Sequence, residues 1–476
     1  MTDALDRIGA APPVVAARRA LGPDSGAFVV GGAIRDALLD RPLRDVDLVV
    51  PGDVEAAARA VGEEVRGPVF ALSEEFGAWR AIDRAQGLTC DISPLREGGI
   101  VHDLAARDFT VNAMATPLAG GELIDPYGGQ ADAAAGVLRV LGASAYGDDA
   151  LRPLRLARLA AELGLAPDDE TERLTRAAAS RVATASPERQ WAELRRLIIA
   201  PGVLHGLDLA GRLGLVSAVL PELEALAGVE QSHFHHLDVR DHTLEVLRRQ
   251  LELEADPAAV FGDLAEPLQA ELNEPLADEL TRGQALRLGA LLHDIGKPVT
   301  RGVRPDGRVT FIGHDSIGAG MVEEVCRRLR TSQRLREHLA ALTRHHLVLG
   351  FLVRERPLPR GTVYRYLVLT QPVEVEVTLL TCADRLATRG RNAEAAIEAH
   401  LELARELMGD ALRWRAEGPA RSAVDGNVLA DEAGIERGPA LGAVLARLAE
   451  ARFTGEATTR EAALQLARRL RDDAGA

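Results

Sequence analysis

Residues 28–50 read FVVGGAIRDALLDRPLRDVDLVV and set the architecture of the N-terminal part of the chain. An apolar run leads into Gly31 and Gly32, helix-forming residues follow, and a second apolar run begins around Asp45 and Asp47. Glycine lets the backbone approach a phosphate, and a helix N-terminus directs amide donors at it. The pattern predicts a strand, a glycine turn, a helix and a second strand, with phosphate bound at the turn.

The two aspartates of this stretch predict a metal site. Asp45 and Asp47 are two residues apart, so on a strand both side chains lie on the same face. Adjacent carboxylates repel unless a positive charge lies between them. Mg²⁺ takes carboxylate and phosphate oxygens, and a two-metal site activates an attacking hydroxyl and stabilises leaving pyrophosphate. We therefore predict that Asp45 and Asp47 are catalytic and bind Mg²⁺. Asp91 is either a third carboxylate of this site or a structural residue at a strand end.

Strand, Gly-Gly, helix and Asp-x-Asp in one stretch resemble the nucleotidyltransferase superfamily that includes DNA polymerase β. Further motifs point to one family within this superfamily. They are residues 107–115 (RDFTVNAMA) and 125–132 (DPYGGQAD), followed by Leu138 and Arg139. They are similar to the class II tRNA nucleotidyltransferases, the CCA-adding enzymes, and to the related bacterial poly(A) polymerases. The likeness implies a polymerase-β-like α/β head.

The same resemblance implies a set of residues that contact the incoming nucleotide. In the head these are Gly31, Gly32, Arg35, Arg107, Asp108 and Asn112. Arginine suits phosphate because it donates in a bidentate manner, and an asparagine amide can bond a ribose hydroxyl. We expect the triphosphate and the sugar to lie against these side chains.

Residues 148–158 (DDALRPLRLAR) resemble the nucleobase-reading motif of the family, with Asp148 in place of the usual Glu. On a helix, Asp149 and Arg152 would face the same way, which by spacing alone is an ordinary ion pair. The resemblance implies instead that they read the base: the carboxylate accepts from the exocyclic amine of cytosine or adenine, and the arginine donates to ring acceptors. Arg155 and Arg158 extend this row and are also predicted to bind the nucleotide.

Histidines and aspartates further along the chain resemble the HD-domain phosphohydrolases. The predicted metal ligands are His242, His293, Asp294, His314, His345 and Asp384. In that family the first His, the His-Asp pair and a late Asp hold a divalent metal that activates water. His314 and His345 would allow a second metal, and Lys297 could hold a phosphate. The alternative is a degenerate domain kept as a scaffold.

Composition limits the class of protein. The chain has 476 residues, enough for two to four domains. Its charge of 56 − 71 = −15 argues against nucleic-acid binding unless arginines are concentrated locally. No apolar run approaches the roughly 20 residues that span a bilayer, and the acidic N-terminal stretch does not resemble a signal peptide. Three cysteines without ligand spacing favour a reducing cytoplasm.

Strand-like runs at residues 27–30, 46–50 and 137–141 lie before a long helical part. The predicted fold is an α/β nucleotidyltransferase head followed by an all-helical body that includes an HD domain. The predicted divisions are a head at 1–140, a helical neck and body at 141–235, an HD metal-dependent phosphohydrolase domain at 236–405, and a helical, tRNA-contacting tail at 406–476.

The predicted function is Mg²⁺-dependent, template-independent transfer of CMP and AMP from CTP and ATP to the 3′ end of tRNA. The enzyme is expected in the cytoplasm, with no membrane or DNA partner. One alternative is an enzyme that adds only CC or only A, or a poly(A) polymerase. Another is an HD phosphohydrolase whose head merely binds RNA or nucleotide, although intact Asp45 and Asp47 count against it.

One departure from the family keeps partial addition open. Full CCA-adding enzymes of this class usually carry a flexible loop before the motif that starts at Arg107. Here only residues 93–106 intervene, and Ala106 stands where the family often has a second arginine. A shortened loop would limit the enzyme to C addition or leave it dependent on a partner that finishes the end.

Overall fold

The computed structural model describes residues 2–43, 45–73, 77–84, 87–231, 237–389 and 393–475. The chain divides into two compact units, Met1–Val219 and Leu220–Ala476. Within the described ranges, no helix has both the length and the apolar character that crossing a membrane requires.

The first unit contains the α/β head that the sequence predicts. Its strands are β1 Phe28–Val30, β2 Asp45–Val50, β3 Val69–Ser73, β4 Ala78–Asp83, β5 Leu88–Pro94 and β6 Ala115–Pro117. Its helices are α1 Thr2–Ala10, α2 Pro12–Leu21, α3 Gly32–Leu38, α4 Val54–Glu64, α5 Ile100–Ala105, α6 Gly129–Ala135, α7 Ala143–Asp148, α8 Arg152–Leu163, α9 Asp169–Ala178, α10 Pro187–Ile199, α11 Val203–Arg212 and α12 Leu215–Val219.

The described strands form one six-stranded sheet in the order β3-β4-β5-β2-β1-β6. β2 and β5 run parallel, and the other neighbours are antiparallel. Val46 and Leu48 face one apolar cluster, whereas Val49 faces another on the opposite side. Because side chains alternate along a strand, Asp45 and Asp47 lie on the same face as Val49. The second face thus carries the carboxylates.

The predicted strand at residues 137–141 is wrong. The structure has only isolated bridges there, Val137 with Ala166 and Val140 with Phe109. The backbone of this segment bonds alternately toward residue 166 on one side and residues 108–110 on the other. A ladder needs consecutive pairs to one neighbour, so no strand forms.

The second unit is helical with two small hairpins. Its helices are α13 Pro221–Glu224, α14 Val239–Ala255, α15 Ala258–Phe261, α16 Ala265–Asn273, α17 Arg282–Leu292, α18 Lys297–Thr300, α19 His314–Arg328, α20 Gln333–His345, α21 Val348–Leu352, α22 Arg360–Thr370, α23 Glu374–Ala387, α24 Ala393–Glu417, α25 Gly426–Ala433, α26 Pro439–Thr454 and α27 Arg460–Gly475. The hairpins pair β7 Pro275–Ala277 with β8 Leu280–Thr281, and β9 Arg301–Val303 with β10 Val309–Phe311.

Helix α23 is the central helix of this unit, since all but a few of its residues are buried. α14, α17, α20 and α24 pack around it. A helix that is buried on every side belongs to the core, so polar groups along it need partners inside the protein. The end of the chain has a separate apolar cluster, formed by residues of α25, α26 and α27.

Candidate active site and metal centre

Gly31 lies where the motifs of the head meet. It follows the last residue of β1 and precedes α3, and its φ is +70°. A Cβ at this position would lie 2.6 Å from Arg107 Nη1 and 3.5 Å from Asp47 Oδ2. Glycine is therefore favoured both by the backbone conformation and by the close approach of the Arg107 guanidinium. At Gly32, by contrast, φ is negative and the nearest atom to a Cβ would be Arg35 Nη2 at 3.5 Å.

The two aspartates of β2 share one face of the strand. Asp45 is exposed and accepts a hydrogen bond from Thr89 Oγ1, while Asp47 is partly buried. Burial raises the pKa of Asp47 to about 6, and repulsion from Asp91 and Asp45 adds to the rise. Attraction from Arg107 opposes it. Crowded carboxylates with a raised pKa fit a divalent cation, which would relieve their repulsion.

Asp91 stands beside Asp47 in the parallel register of β5 and β2. Arg80, opposite it on β4, donates from Nε and Nη2 to the two oxygens of Asp91 at 2.6 and 2.7 Å. Such a bidentate pair holds a carboxylate firmly. Asp91 thus lies where a third carboxylate of the site would be, with its charge balanced by Arg80. Sequence reasoning missed Arg80, because only the strand register brings the two residues together.

Asp108 links the predicted nucleotide-binding residues. Its Oδ1 accepts from Phe109 N at 2.8 Å and Asn112 Nδ2 at 2.9 Å, and its Oδ2 accepts from Arg155 Nη1 at 3.0 Å. Burial alone would raise its pKa, but Arg155 and Asn112 hold the pKa of Asp108 at about 2. Asn112 Oδ1 accepts in turn from Arg35 Nη1 at 2.7 Å. Asp108 therefore positions two residues of the site.

Asp149 and Arg152 do not form the pair expected on one helix face. Asp149 is extended, with φ −143°, and lies between α7 and α8, whereas Arg152 begins α8. Asp149 Oδ2 accepts from Arg189 Nη2 at 2.8 Å and lies 3.6 Å from Arg155 Nη2. The helix starts after Asp149, so the three-residue spacing does not align the two side chains.

Arg152 is engaged with the backbone instead. Its Nη2 donates to Ala106 O at 2.7 Å, and its Nη1 donates to Ala145 O at 2.9 Å and Arg107 O at 3.1 Å. These contacts tie the start of α8 to the segment that carries Arg107. Arg152 therefore lies close to the head motif, although both of its terminal nitrogens donate to carbonyl oxygens.

Arg158 is buried behind Arg155 and is only 5% exposed. Its Nε donates to Glu193 Oε2 at 2.6 Å and its Nη1 to Glu162 Oε2 at 2.8 Å. Glu193 Oε1 also accepts from Arg155 Nε at 3.0 Å. Although the sequence predicts nucleotide contact for both arginines, the structure gives Arg158 the position of a support for Arg155.

In the second unit, four elements bring imidazoles and carboxylates together. His242 Nε2 lies 3.0 Å from Asp384 Oδ1, and His293 Nε2 lies 3.1 Å from Asp294 Oδ2. The other oxygen of Asp294 lies 3.3 Å from His314 Nε2. All of these side chains except that of Asp384 are buried. Imidazole nitrogens and carboxylate oxygens in this combination suit a first-row divalent metal.

Backbone carbonyls orient three of the imidazoles. The Nδ1 contacts are His293 to Ala290 O at 2.8 Å, His314 to Phe311 O at 2.7 Å and His346 to Thr343 O at 2.6 Å. A hydrogen bond donated from Nδ1 leaves Nε2 as the unprotonated nitrogen of a neutral ring. Metal-binding histidines are commonly held in this way. The residues present therefore fit a divalent cation.

The structure replaces His345 with His346 in the predicted ligand set. Two groups of ligand atoms each lie within 4.8 Å of one another: His242, His293 and Asp294, and Asp294, His314 and His346. His345 is the last residue of α20 and lies outside both groups. Adjacent residues near a helix end point in different directions, so only one of the two histidines faces the centre. Burial lowers the pKa of His346 to about 4, which keeps the ring neutral.

Lys297 stands at the edge of this centre. Its Nζ lies 2.6 Å from Asp294 Oδ2 and donates to Gln231 Oε1 at 2.7 Å. Despite burial, His293 and Lys297 hold the pKa of Asp294 well below its usual range. The group opens into a cavity of about 790 Å³ that Lys297, Arg354 and Arg385 also line. Positive charge beside the carboxylates suits a phosphate ester.

Three family models match separate parts of the chain. They are the Poly A polymerase head domain at residues 27–139, the probable RNA and SrmB-binding site of polymerase A at residues 164–226, and the HD domain at residues 239–389. The first covers the sheet with Asp45 and Asp47, and the last covers the histidine centre. The sheet with Asp45 and Asp47 and the histidine centre thus lie within matched family regions, whereas residues 148–158 fall between the first two.

Relatives match almost the whole chain. The A-adding tRNA nucleotidyltransferase of Deinococcus radiodurans is 34% identical over 454 residues, which cover 94% of this chain and 96% of the relative. The CC-adding tRNA nucleotidyltransferase of Thermus thermophilus is 34% identical over 444 residues, 92% of each chain. Among solved structures, the Thermotoga maritima CCA-adding enzyme complexed with tRNA has a TM-score of 0.57 at 21% identity, covering 93% of this chain and 90% of that one.

Proposed function

Because this chain belongs to the tRNA nucleotidyltransferase family, we propose that it transfers nucleotides from CTP and ATP to the 3′ end of tRNA without a template. The meeting of Gly31, Asp47 and Arg107 supports this most directly. Gly31 and Asp47 come from the first motif and Arg107 from the second, and together they provide a glycine turn, a carboxylate and a guanidinium. Nucleotidyl transfer needs that combination, because a triphosphate must be held beside the groups that bind metal.

The residues of the head have separate roles in the proposed reaction. Asp45 and Asp47 would hold Mg²⁺, which activates the 3′ hydroxyl and stabilises the leaving pyrophosphate. Arg107 and Arg35 bind the triphosphate, and Asn112 bonds the ribose. Asp108 fixes Asn112 through the 2.9 Å hydrogen bond, so the sugar contact is rigid before substrate arrives.

Asp149 selects the base in this proposal. Its carboxylate accepts from the exocyclic amine of cytosine or adenine, which uracil and guanine do not present in the same place. Arg189 now donates to Asp149 Oδ2 at 2.8 Å, so the incoming base exchanges with that guanidinium. Asp149→Ala should therefore blur the choice between C, A and the other nucleotides more than it slows transfer. Unchanged selectivity would contradict this role.

The extent of addition is a second proposal, favoured by one observation. The short connection before Arg107 contains helix α5. On that helix, Asp103 Oδ2 lies 3.2 Å from Arg107 Nη2. A connection that is helical and tied to the site has less freedom than an open loop. We propose that the enzyme adds part of the CCA end, either CC or the final A.

Single-turnover addition tests both proposals. The substrates are tRNA lacking CCA, lacking CA and lacking A, each offered CTP, ATP, UTP and GTP with Mg²⁺, and a non-tRNA oligonucleotide is the control. Partial addition predicts that extension stops after CC or occurs only with the final A. Addition of the complete CCA end would contradict the proposal of partial addition but would support the proposed transferase activity. Long A tails would indicate a poly(A) polymerase.

Variants of the head separate chemistry from binding. Asp45→Asn and Asp47→Asn should abolish addition and leave tRNA affinity unchanged. Asp24→Asn is the matched control, because Asp24 is exposed and lies outside the site. Addition at the wild-type rate in either active-site variant would refute the metal assignment.

A second activity is supported by the histidine centre. Its imidazoles, the shared Asp294 and the nearby Lys297 can hold a divalent metal and a phosphate ester. We propose metal-dependent phosphohydrolysis there. Hydrolysis of bis-p-nitrophenyl phosphate by wild type, lost in Asp294→Ala, is the expected result, and hydrolysis unaffected by that change would contradict it.

Cys90, Cys326 and Cys382 are buried free thiols, in keeping with an enzyme of the reducing cytoplasm.

A further inference from the structure

A second cavity, of about 610 Å³, lies among the last helices of the second unit. The start of α22, the end of α24, the connection after α24 and the end of α26 surround it. Its lining residues include Arg360, Arg413, Arg421, Arg452, Trp414 and Phe453. We call this cavity the tail pocket. Its volume falls within the range of small-molecule sites, roughly 300–1,000 Å³.

Positive charge exceeds negative charge in the tail pocket. Four guanidinium groups line it with only two carboxylates, Asp410 and Glu417, an excess of two positive charges. Arg360 and Arg413 share Asp410, at 2.7 and 2.5 Å. This local excess stands out in a chain with a net charge of −15. Such a concentration is what an acidic protein needs in order to bind an anion.

Two of the arginines remain available to a ligand. Arg421 is exposed, and its guanidinium has no hydrogen bond or ion pair with any residue that the structure describes. Arg452 donates from Nη1 to the backbone oxygen of Arg421 at 3.3 Å, which keeps the two residues together. That bond involves no carboxylate, so the charge of Arg452 is not neutralised. Paired guanidinium groups of this kind recognise phosphate.

The opposite wall is aromatic. The rings of Trp414 and Phe453 have centroids 6.0 Å apart, and Tyr364 packs against both. The Arg360 guanidinium lies over the Phe453 ring, 4.4 Å from its centroid. Aromatic rings beside arginines form stacking sites for nucleobases. An acidic peptide would use the charges but would have no base to place beside these rings.

Trp414 supplies an independent observation. Its side chain is 5% exposed, and its buried Nε1 has no hydrogen-bond acceptor in the described part of the chain. A buried indole N–H normally finds an acceptor. A base or phosphate in the tail pocket would offer oxygen and nitrogen acceptors close to this donor.

We propose that the tail pocket binds a phosphate-bearing nucleobase, either a free nucleotide or a nucleotide within RNA, with Arg421 and Arg452 on the phosphate and the Trp414–Phe453 wall beside the base. The site is separate in composition from the residues that carry nucleotidyl transfer. It gives the tail that is predicted to contact tRNA a defined nucleotide-binding site, and in this respect it rests on the proposed function.

The test measures binding without catalysis, so its result does not depend on the proposed function. The full chain carries Asp45→Asn and Asp47→Asn and is kept free of divalent metal. Three probes are titrated: AMP, a labelled single-stranded RNA of about ten nucleotides, and an acidic peptide of similar length. Binding is read from tryptophan fluorescence for AMP and from anisotropy for the labelled polymers.

The critical variant is Arg421→Ala with Arg452→Ala. Its matched control is Arg437→Ala with Arg469→Ala, which removes the same charge from exposed positions in the same part of the chain. We expect the first pair to weaken AMP or RNA binding about tenfold or more, because bonds to charged groups are lost. The control pair should leave the affinity unchanged. Trp414→Phe should remove the fluorescence change on AMP binding.

Each outcome distinguishes one source of the ligand or overturns the proposal. AMP binding that depends on Arg421 and Arg452 identifies a free nucleotide as sufficient. Binding of RNA alone with the same dependence identifies a nucleotide within RNA. Equal losses in both arginine pairs, binding of the peptide alone, or no binding of any probe would overturn it.

Discussion

Replacing Gly31 should misplace the site without unfolding the head. Its φ of +70° disfavours any side chain, and a Cβ would lie 2.6 Å from Arg107 Nη1. In Gly31→Ala we expect Arg107 to move and kcat/KM for nucleotide addition to fall about 100-fold, as for other displacements near 1 Å. Gly22→Ala is the control, since its φ is +78° but nothing lies within 4 Å of a Cβ there, and it lies outside the site. Equal activities of the two variants would contradict the close approach.

The raised pKa of Asp47 predicts how metal binding depends on pH. The pKa is about 6 before metal binds, and a protonated carboxyl is not a ligand. Mn²⁺ affinity should therefore be constant above that pH and fall about tenfold per pH unit below it. Electron paramagnetic resonance of bound Mn²⁺ would measure this, with Asp47→Asn as the blank for metal held elsewhere. An affinity that stays flat from pH 7 to pH 5 would contradict the raised pKa.

At the scale of elements, Asp108 joins the segment after α5 to α8 through Arg155. Burial raises the pKa of Asp108, but Arg155 and the hydrogen bonds from Asn112 and Phe109 lower it to about 2, roughly two units below its ordinary value. At 1.36 kcal/mol per unit, Asp108→Asn should lower the free energy of unfolding by about 2 kcal/mol at pH 7. A lowered pKa stabilises the fold above pH 3.8, and that stabilisation is lost as the pH falls through about 2.

Urea unfolding at several pH values checks this stability prediction. The difference between Asp108→Asn and wild type should be constant from pH 6 to pH 8 and shrink toward pH 3. Asp24→Asn is again the control, because Asp24 is exposed and no hydrogen bond or ion pair of it appears in the described structure. Equal stability of the two variants would mean that the carboxylate of Asp108 is not an anchor.

The elements also show which parts of the site a sequence can predict. Gly31, Asp45 and Asp47 were predictable because turn and strand geometry place them within one short segment. The partners of Asp149 were not, because helix α8 starts at Arg152 and the contact with Arg189 joins positions 40 residues apart. The contact of Arg80 with Asp91 was not predictable for the same reason. Contacts between elements depend on register and packing, which local periodicity does not contain.

At the scale of the whole molecule, the carboxylates of the head and the histidine centre belong to two different compact units. The α/β head and the helical body were predictable from the switch in hydrophobic period, apart from two small hairpins and the false strand at residues 137–141. The choice between His345 and His346 was not predictable, because it depends on where α20 ends. A variant pair can test that choice and the independence of the two sites together.

His346→Ala should lose bound divalent metal, while His345→Ala should retain it. Both variants should keep the wild-type rate of nucleotide addition in Mg²⁺, because the carboxylates of the head are intact. Metal content by mass spectrometry and single-turnover addition measure the two properties. Metal loss in His345→Ala alone would show that the helix ends differently, and loss of addition in either variant would show that the sites are coupled.

The contacts of Arg155 predict how this part of the sequence changed during divergence. Its guanidinium bonds Asp108 and Glu193 and lies 3.6 Å from Asp149, so it joins the head motif, helix α10 and the proposed base-reading position. A substitution at any of these four positions upsets the charge balance of a largely buried cluster. We expect the four positions to have changed together during divergence, as one inherited block, while neighbouring surface positions drifted independently.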